Sequence, residues 1–449
     1  MDEDSANVDA ANDWMQPFLQ FWRDYFEQAD TATQQLLNWQ RSVDWPERLD
    51  RSQLEAASKA MDAYLRSAEF LGAMRGVIDA MITTQRQSRS PSIMAPLESW
   101  TAPPGPLWEQ FIDRWAQATG LSESRRGATP FDVVYQESSL RLLRYRSDVA
   151  AAVAEPVLLC FSLVNRPYIL DLQPQRSVVR QLLEQGLDVY LIDWGVPSNA
   201  DHTLRLHDYI NKRMKCLADI VCEASGSPQI NLLGYCMGGT MAAIYTSLYQ
   251  RQVRNLILLA APIDFSGNES LLNIWTRQGH LDVDGLIDAF GNCPGAFLQA
   301  CFQQTKPVQN YFEKYIRLHE HSGDNAFLEN FLAMERWAND SIPVAGETFR
   351  EFVKMFYQQN RLVEGQLRLR GTPIDLARIT CPLLLLTANF DHLVPPNSAL
   401  ALTGCASSAE ALNLAIDAGH IGLAVSSKAH RELWPAAARW IVDHSTLRH

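Results

Sequence analysis

The chain has 449 residues, 47% of them hydrophobic, and a formal net charge of −12. That length suits a catalytic domain with an accessory region, and the acidic balance argues against a nucleic-acid partner. No apolar run approaches the roughly 18 residues of a transmembrane helix, and the acidic start Met1-Asp2-Glu3-Asp4 lacks the basic-then-apolar order of a signal peptide. The eight cysteines, at 160, 216, 222, 236, 293, 301, 381 and 405, form no C-x-x-C pair, which predicts reduced thiols in a cytoplasmic protein and no metal site.

Residues 1–125 read as an all-helical region. Phe18, Trp22, Tyr25 and Phe26 follow helical spacing after Pro17. Leu54, Ala57, Met61, Tyr64, Ala68 and Leu71 recur at three- and four-residue steps, an apolar stripe that suits either a coiled seam or a core-facing side. Seven tryptophans lie here (14, 22, 39, 45, 100, 108 and 115), and such amphipathic helices suit docking on an apolar surface or another subunit. Ser88–Ser92 and Ala102-Pro103-Pro104-Gly105-Pro106 read as linker, since proline forbids helix.

From Thr129 strands and helices alternate. Val133–Tyr135 and Leu140–Tyr145 predict an antiparallel pair, and Pro156–Phe161 an apolar strand. Arg176–Gln185 predicts a helix closed by Gly186, Asp188–Ile192 a strand, and Leu204–Ala224 a long helix. Ile230–Leu233 and Leu256–Ala260 are further strands. Near-continuous apolar strands separated by helices imply a buried, mostly parallel sheet. Residues 267–375 interrupt this rhythm with aromatic-rich helical sequence and read as a cap inserted into a catalytic domain of 126–449. The sheet resumes at 383–387 and 412–416, before a helix near Glu432–Val442.

The chemistry centres on Gly234-Tyr235-Cys236-Met237-Gly238, a Gly-x-Cys-x-Gly turn between a strand and a small-residue helix. Such a nucleophile elbow lifts the thiol above the sheet, with the helix N-terminus favouring thiolate. Asp391 follows the next-to-last strand and His420 the last, giving the order Cys, Asp, His of an α/β-hydrolase triad. Taken singly, Cys236 could also be a buried structural thiol, while Asp391 reads equally as a turn former and His420 as a core histidine. His392 directly follows the acid and does not suit a base. His319, Glu320, His321 and Asp324 resemble metal ligands but lack a helical i, i+4 histidine pair, and read as a solvated polar stretch.

With these motifs the chain resembles the polyhydroxyalkanoate synthases. The resemblance runs through Asn165-Arg166-Pro167-Tyr168-Ile169-Leu170-Asp171-Leu172, Asp193-Trp194-Gly195, Asp208-Tyr209-Ile210 and Gly234–Gly239. It continues through Phe352–Asn360, Asp391-His392-Leu393-Val394-Pro395 and Gly419-His420-Ile421-Gly422, spanning roughly residues 130 to 425. The Asn165-Arg166-Pro167 and Tyr235-Cys236-Met237 forms look closest to the shorter, two-subunit synthases of classes III and IV, from which the helical region 1–125 departs. The resemblance implies an α/β-hydrolase fold and polymerisation of (R)-3-hydroxyacyl-coenzyme A, with 3-hydroxybutyryl-coenzyme A as the expected substrate. Coenzyme A is then part of the substrate and a product, and no cofactor is required. It implies Cys236 as nucleophile, His420 as base, Asp391 as its partner, and the backbone N–H groups of Met237 and Val164 as oxyanion donors. It also implies a cytoplasmic homodimer on polyester granules, with a second synthase subunit as a candidate partner. Trp275, Phe297, Phe302 and Tyr311 are candidates for an acyl tunnel or for plain cap packing. The alternative is a cysteine-dependent α/β hydrolase, a thioesterase or a dienelactone-hydrolase-like enzyme, which shares the triad but not the match at 352–360.

Overall fold

The computed structural model describes residues 51–88, 127–321 and 324–448. The aromatic stripe at residues 18–26, the seven tryptophans before residue 120 and the proline-rich linker lie outside the described residues. The chain divides into two compact units, Met1–Ser122 with Gln299–Leu332, and Glu123–Leu298 with Ala333–His449.

In the first unit, helices α1 (Arg51–Leu65) and α2 (Ala68–Ser88) are separated by a break at Arg66–Ser67. The Ser67 hydroxyl accepts from the Phe70 N–H at 3.2 Å, so the serine caps the second helix instead of continuing the first. The break shifts the apolar face. Met61 and Leu65 are buried on α1, but on α2 the buried set is Phe70, Met74, Ile78, Met81 and Ile82, while Ala68 is exposed and Leu71 only half-buried. The expected continuous stripe is therefore two stripes out of phase. Residues 299–332, expected as cap, group with these helices, and Gln309 Nε2 donates to Ser58 Oγ at 2.9 Å.

The second unit is built on an eight-stranded sheet: β1 (Phe131–Glu137), β2 (Leu140–Tyr145), β3 (Val157–Cys160), β4 (Val189–Asp193), β5 (Ile230–Tyr235), β6 (Val253–Leu259), β7 (Leu383–Ala388) and β8 (Ala411–Ile416). Its spatial order is β1-β2-β4-β3-β5-β6-β7-β8, with β2 antiparallel to both neighbours and all pairs from β4 to β8 parallel. That is the α/β-hydrolase fold with a mostly parallel sheet. Every residue of β3, β5 and β7 is buried, because helices cover both faces of the sheet. The central register sets Cys160 beside Gly234 and Tyr235 beside Leu259, bringing three strand ends to one place at the carboxyl edge.

Two expected helices differ in detail. Arg176–Ser177 is a short strand paired with Asp171–Gln173, and the helix begins at Val178. Ser177 caps that helix by accepting from the Arg180 N–H at 3.0 Å, and its own hydroxyl donates to buried Asp171 at 2.5 Å. The long helix expected from Leu204 opens with a π-helical segment, Asp208–Met214, and becomes α-helical over Lys215–Ser225, ending at left-handed Gly226.

Opposite the site, a polar latch closes the unit. Thr446 donates its N–H and hydroxyl to buried Glu155, both at 2.8 Å, and the Ala154 N–H donates to the Thr446 carbonyl at 2.8 Å. Asn231, fully buried at the start of β5, donates to the Glu155 carbonyl at 2.9 Å and the Ser445 hydroxyl at 3.0 Å. Asn255 on β6 in turn donates to Asn231 Oδ1 at 2.7 Å.

Candidate active site

Cys236 sits between β5 and the helix Met237–Tyr249 with φ +55° and ψ −128°, a conformation costly for a residue bearing a Cβ. The surrounding backbone imposes it. The Cys236 N–H donates to the Leu259 carbonyl at 2.9 Å, and the Cys236 carbonyl accepts from the Gly239 N–H at 2.8 Å. The flanking glycines are forced by close approach. A Cβ on Gly238 would lie 2.2 Å from the Cys160 carbonyl oxygen, and one on Gly234 would lie 2.5 Å from Gly239 Cα. Strand and helix can therefore cross closely enough to hold the elbow.

Asp391 leaves the end of β7. Its Oδ1 accepts the N–H groups of Leu393 and Val394 at 2.9 and 2.8 Å, which fixes the carboxylate, and its Oδ2 lies 2.7 Å from His420 Nδ1. The two loops are tied at their bases, with the Phe390 N–H donating to the Ala418 carbonyl at 3.0 Å. The pair is dry: the His420 and Asp391 side chains are 5% and 1% exposed. Burial alone would depress the imidazolium, but the charges of Asp391 and Cys236, with their hydrogen bonds to the ring, overcome it and raise the His420 pKa to about 10. The structure thus brings Cys236, His420 and Asp391 together as one electrostatic group, and His392 is half-buried.

Two tyrosines complete the site, and neither was singled out from sequence. Tyr235 stacks on the His420 ring with centroids 5.2 Å apart and planes 22° apart, and its hydroxyl donates to the His420 carbonyl at 3.1 Å. Burial, then the nearby Cys236 and Asp391 charges, push its phenol well above the ordinary value. Tyr357 comes from the cap segment Phe352–Asn360. Burial raises its pKa and the Cys236 charge adds to the shift. It is carried by the π-helical turn Val353–Gln358 and packs edge-on against Phe265 with centroids 4.9 Å apart. Asn360, at φ +47°, anchors the turn by accepting the Phe265 N–H at 3.0 Å and donating to Asp264 at 2.8 Å.

Met237 occupies the first position of its helix, where a backbone N–H has no intrahelical acceptor. The Val164 N–H lies in the loop after β3 and donates to the Ser162 hydroxyl at 3.2 Å. That loop is held at its root by Trp194, whose indole donates to the Phe161 carbonyl at 2.9 Å.

Of the remaining candidates, Trp275 and Phe297 are buried in the second unit, and Phe302 and Tyr311 belong to the first, with the Tyr311 side chain outside the described residues. His321 Nδ1 lies 2.9 Å from the Arg317 carbonyl. Asp324 Oδ1 accepts the N–H groups of Ala326 and Phe327 at 3.0 and 3.2 Å, a helix cap.

Comparison with known proteins bears on the family and the fold. Residues 155–426 match the family model described as alpha/beta hydrolase fold, and residues 9–182 match the one described as Poly-beta-hydroxybutyrate polymerase (PhaC) N-terminus. The chain is 44% identical over 345 residues to the poly(3-hydroxyalkanoate) polymerase subunit PhaC of Haloferax mediterranei, covering 75% of this chain and 70% of that one. It is 43% identical to the subunit of the same name from Synechocystis sp. (75% of this chain, 90% of that one) and 43% to that of Allochromatium vinosum (70% and 89%). Among the described residues no helix is long and apolar enough to cross a membrane. An elbow cysteine, a buried acid–histidine pair and identity at this level across most of the chain lead to one assignment: the chain belongs to the PhaC family of poly(3-hydroxyalkanoate) polymerases, acyltransferases built on the α/β-hydrolase fold.

Proposed function

We propose that this protein polymerises (R)-3-hydroxyacyl-coenzyme A, short-chain 3-hydroxybutyryl-coenzyme A above all, into polyester with release of coenzyme A. The observation that carries the reading is the buried His420–Asp391 pair at 2.7 Å beside a cysteine held on a strained elbow. The Cys236 thiolate attacks the thioester carbonyl. The oxyanion is met by the N–H groups of Met237 and Val164. The C–S bond to coenzyme A breaks, and imidazolium His420, whose elevated pKa keeps it protonated at neutral pH, gives its proton to the departing thiolate. Neutral His420 then takes the proton of a 3-hydroxyl group, whose oxygen attacks the Cys236 thioester. An ester bond forms, the enzyme C–S bond breaks, and thiolate and imidazolium are restored. Asp391 holds the ring and its charge throughout.

A cysteine nucleophile suits this cycle because loading exchanges one thioester for another, nearly isoenergetically, whereas a serine ester would be a deeper trap. The enzyme acts as a cytoplasmic homodimer at the surface of polyester granules. The helices before residue 126 dock it there or on a second copy, in place of or beside a second synthase subunit.

Purified protein given 3-hydroxybutyryl-coenzyme A should release coenzyme A and leave insoluble polyester, and Cys236→Ala should abolish both. Free hydroxy acid without polymer would overturn this reading in favour of a cysteine hydrolase.

A further inference from the structure

The loop that carries Val164 leaves β3, and its Val164 N–H is the second oxyanion donor of the proposed reaction. Trp194 pins its beginning at Phe161, and buried Ile169 and Leu170 pin its end. Between these anchors the loop is gripped by residues more than 170 positions later in the chain. The Trp337 indole, 5% exposed, donates to the Arg166 carbonyl at 2.8 Å. Arg166 Nε donates to Asp340 Oδ1 at 3.2 Å, and the Tyr168 hydroxyl donates to Asp340 Oδ2 at 3.2 Å. The two oxygens of one carboxylate thus hold the residues on either side of Pro167, whose ring already fixes φ. The Arg166 and Asp340 side chains are 26% and 15% exposed, so the pair is largely shielded from water. Trp337 and Asp340 lie at the end of the helix Asn325–Asn339, where the Asp340 N–H donates to the Trp337 carbonyl at 3.2 Å and sets their spacing.

We propose that Asp340 is a positioning residue for the acyl-transfer reaction, straddling Arg166 and Tyr168 so that the Val164 N–H is held where the oxyanion forms. The inference rests on the reading of Val164 as an oxyanion donor. Asp340 touches no reacting atom and acts through the loop. Oxyanion donors work because they are already oriented when charge develops, so a loop free to drift loses transition-state stabilisation while leaving the nucleophile intact.

This separates two reactions of the same thiol. Acylation by p-nitrophenyl acetate passes through an oxyanion, whatever the natural acyl donor, and alkylation by iodoacetamide does not. Asp340→Ala should slow acylation about tenfold or more. It should lower kcat with 3-hydroxybutyryl-coenzyme A in parallel while KM and the alkylation rate stay within about twofold of wild type. Tyr168→Phe removes one hydroxyl and should give a smaller fall of the same kind, and Asp340→Asn, which keeps the shape, should lie between wild type and Asp340→Ala. An unchanged acylation rate in Asp340→Ala overturns the proposal. So does a parallel loss of acylation and alkylation in both Asp340→Ala and Tyr168→Phe, which marks a purely structural role. If wild type releases no coenzyme A yet the acetate-ester pattern holds, the polymerase reading fails and the positioning role stands.

Discussion

At the scale of single residues, the site is governed by one charge. Folded His420 holds its proton to about pH 10, against about 6.5 for a free imidazole. Because the folded value is the higher one, the protonated ring contributes stability that is complete below about 6.5 and is lost as pH rises through about 10. Asp391→Asn keeps an oxygen for the Leu393 and Val394 N–H groups but removes the opposite charge. Its stability deficit should be about 2 kcal/mol near pH 6 and shrink toward pH 10, as read from urea denaturation at the two values. Tyr235 supports the same ring in two ways. Tyr235→Phe keeps the stack and loses the hydrogen bond to the His420 carbonyl, a change of about 1 kcal/mol. Tyr235→Leu loses both, and should lower kcat further than Tyr235→Phe in a coenzyme A release assay.

At the scale of elements, the elbow depends on backbone meeting backbone. Gly238→Ala would set a methyl group 2.2 Å from the Cys160 carbonyl oxygen and 2.6 Å from the Phe161 carbonyl carbon, and neither can swing aside. It should cost about 3 kcal/mol or more in chemical denaturation, whereas Gly404→Ala, with nothing within 4 Å of the added Cβ, should stay within about 0.5 kcal/mol. These contrasts explain what the sequence revealed. The elbow, the strands and the acid and histidine after the last two strands were legible because local geometry dictates the residue types: glycine where chains touch, unbroken apolar runs where both faces are covered. The phase of the N-terminal stripe was not, because a single capping serine at 67 resets it. Tyr235, Tyr357 and Asp340 were equally hidden. Tyr235 and Tyr357 lie inside stretches read as motif, and nothing local says which ring meets His420. Asp340 works through partners more than 170 residues away.

At the scale of the molecule, the described N-terminal helices share a compact unit with a later stretch of the chain. Their compact unit includes Gln299–Leu332, where Val308, Leu318, Leu328 and Leu332 are buried. A chain starting at residue 126 would leave those side chains without part of their unit. It should elute as larger, self-associated species in size-exclusion chromatography and release coenzyme A more slowly than the full chain. Unimpaired size and activity would refute a role for the helices in completing the fold. The latch opposite the site bears on the order in which the protein is made. Asn231 begins the strand that ends at the nucleophile, and its buried amide donates to Ser445. Left without that partner, such a group costs about 1–3 kcal/mol. During synthesis this amide gains its full set of partners only once residues more than two hundred positions downstream have been made. Nascent chains arrested before residue 440 should remain open to protease around the elbow, and those released after residue 448 should resist it. A thiol whose charge partners arrive this late is kept from reacting until there is a site to contain it.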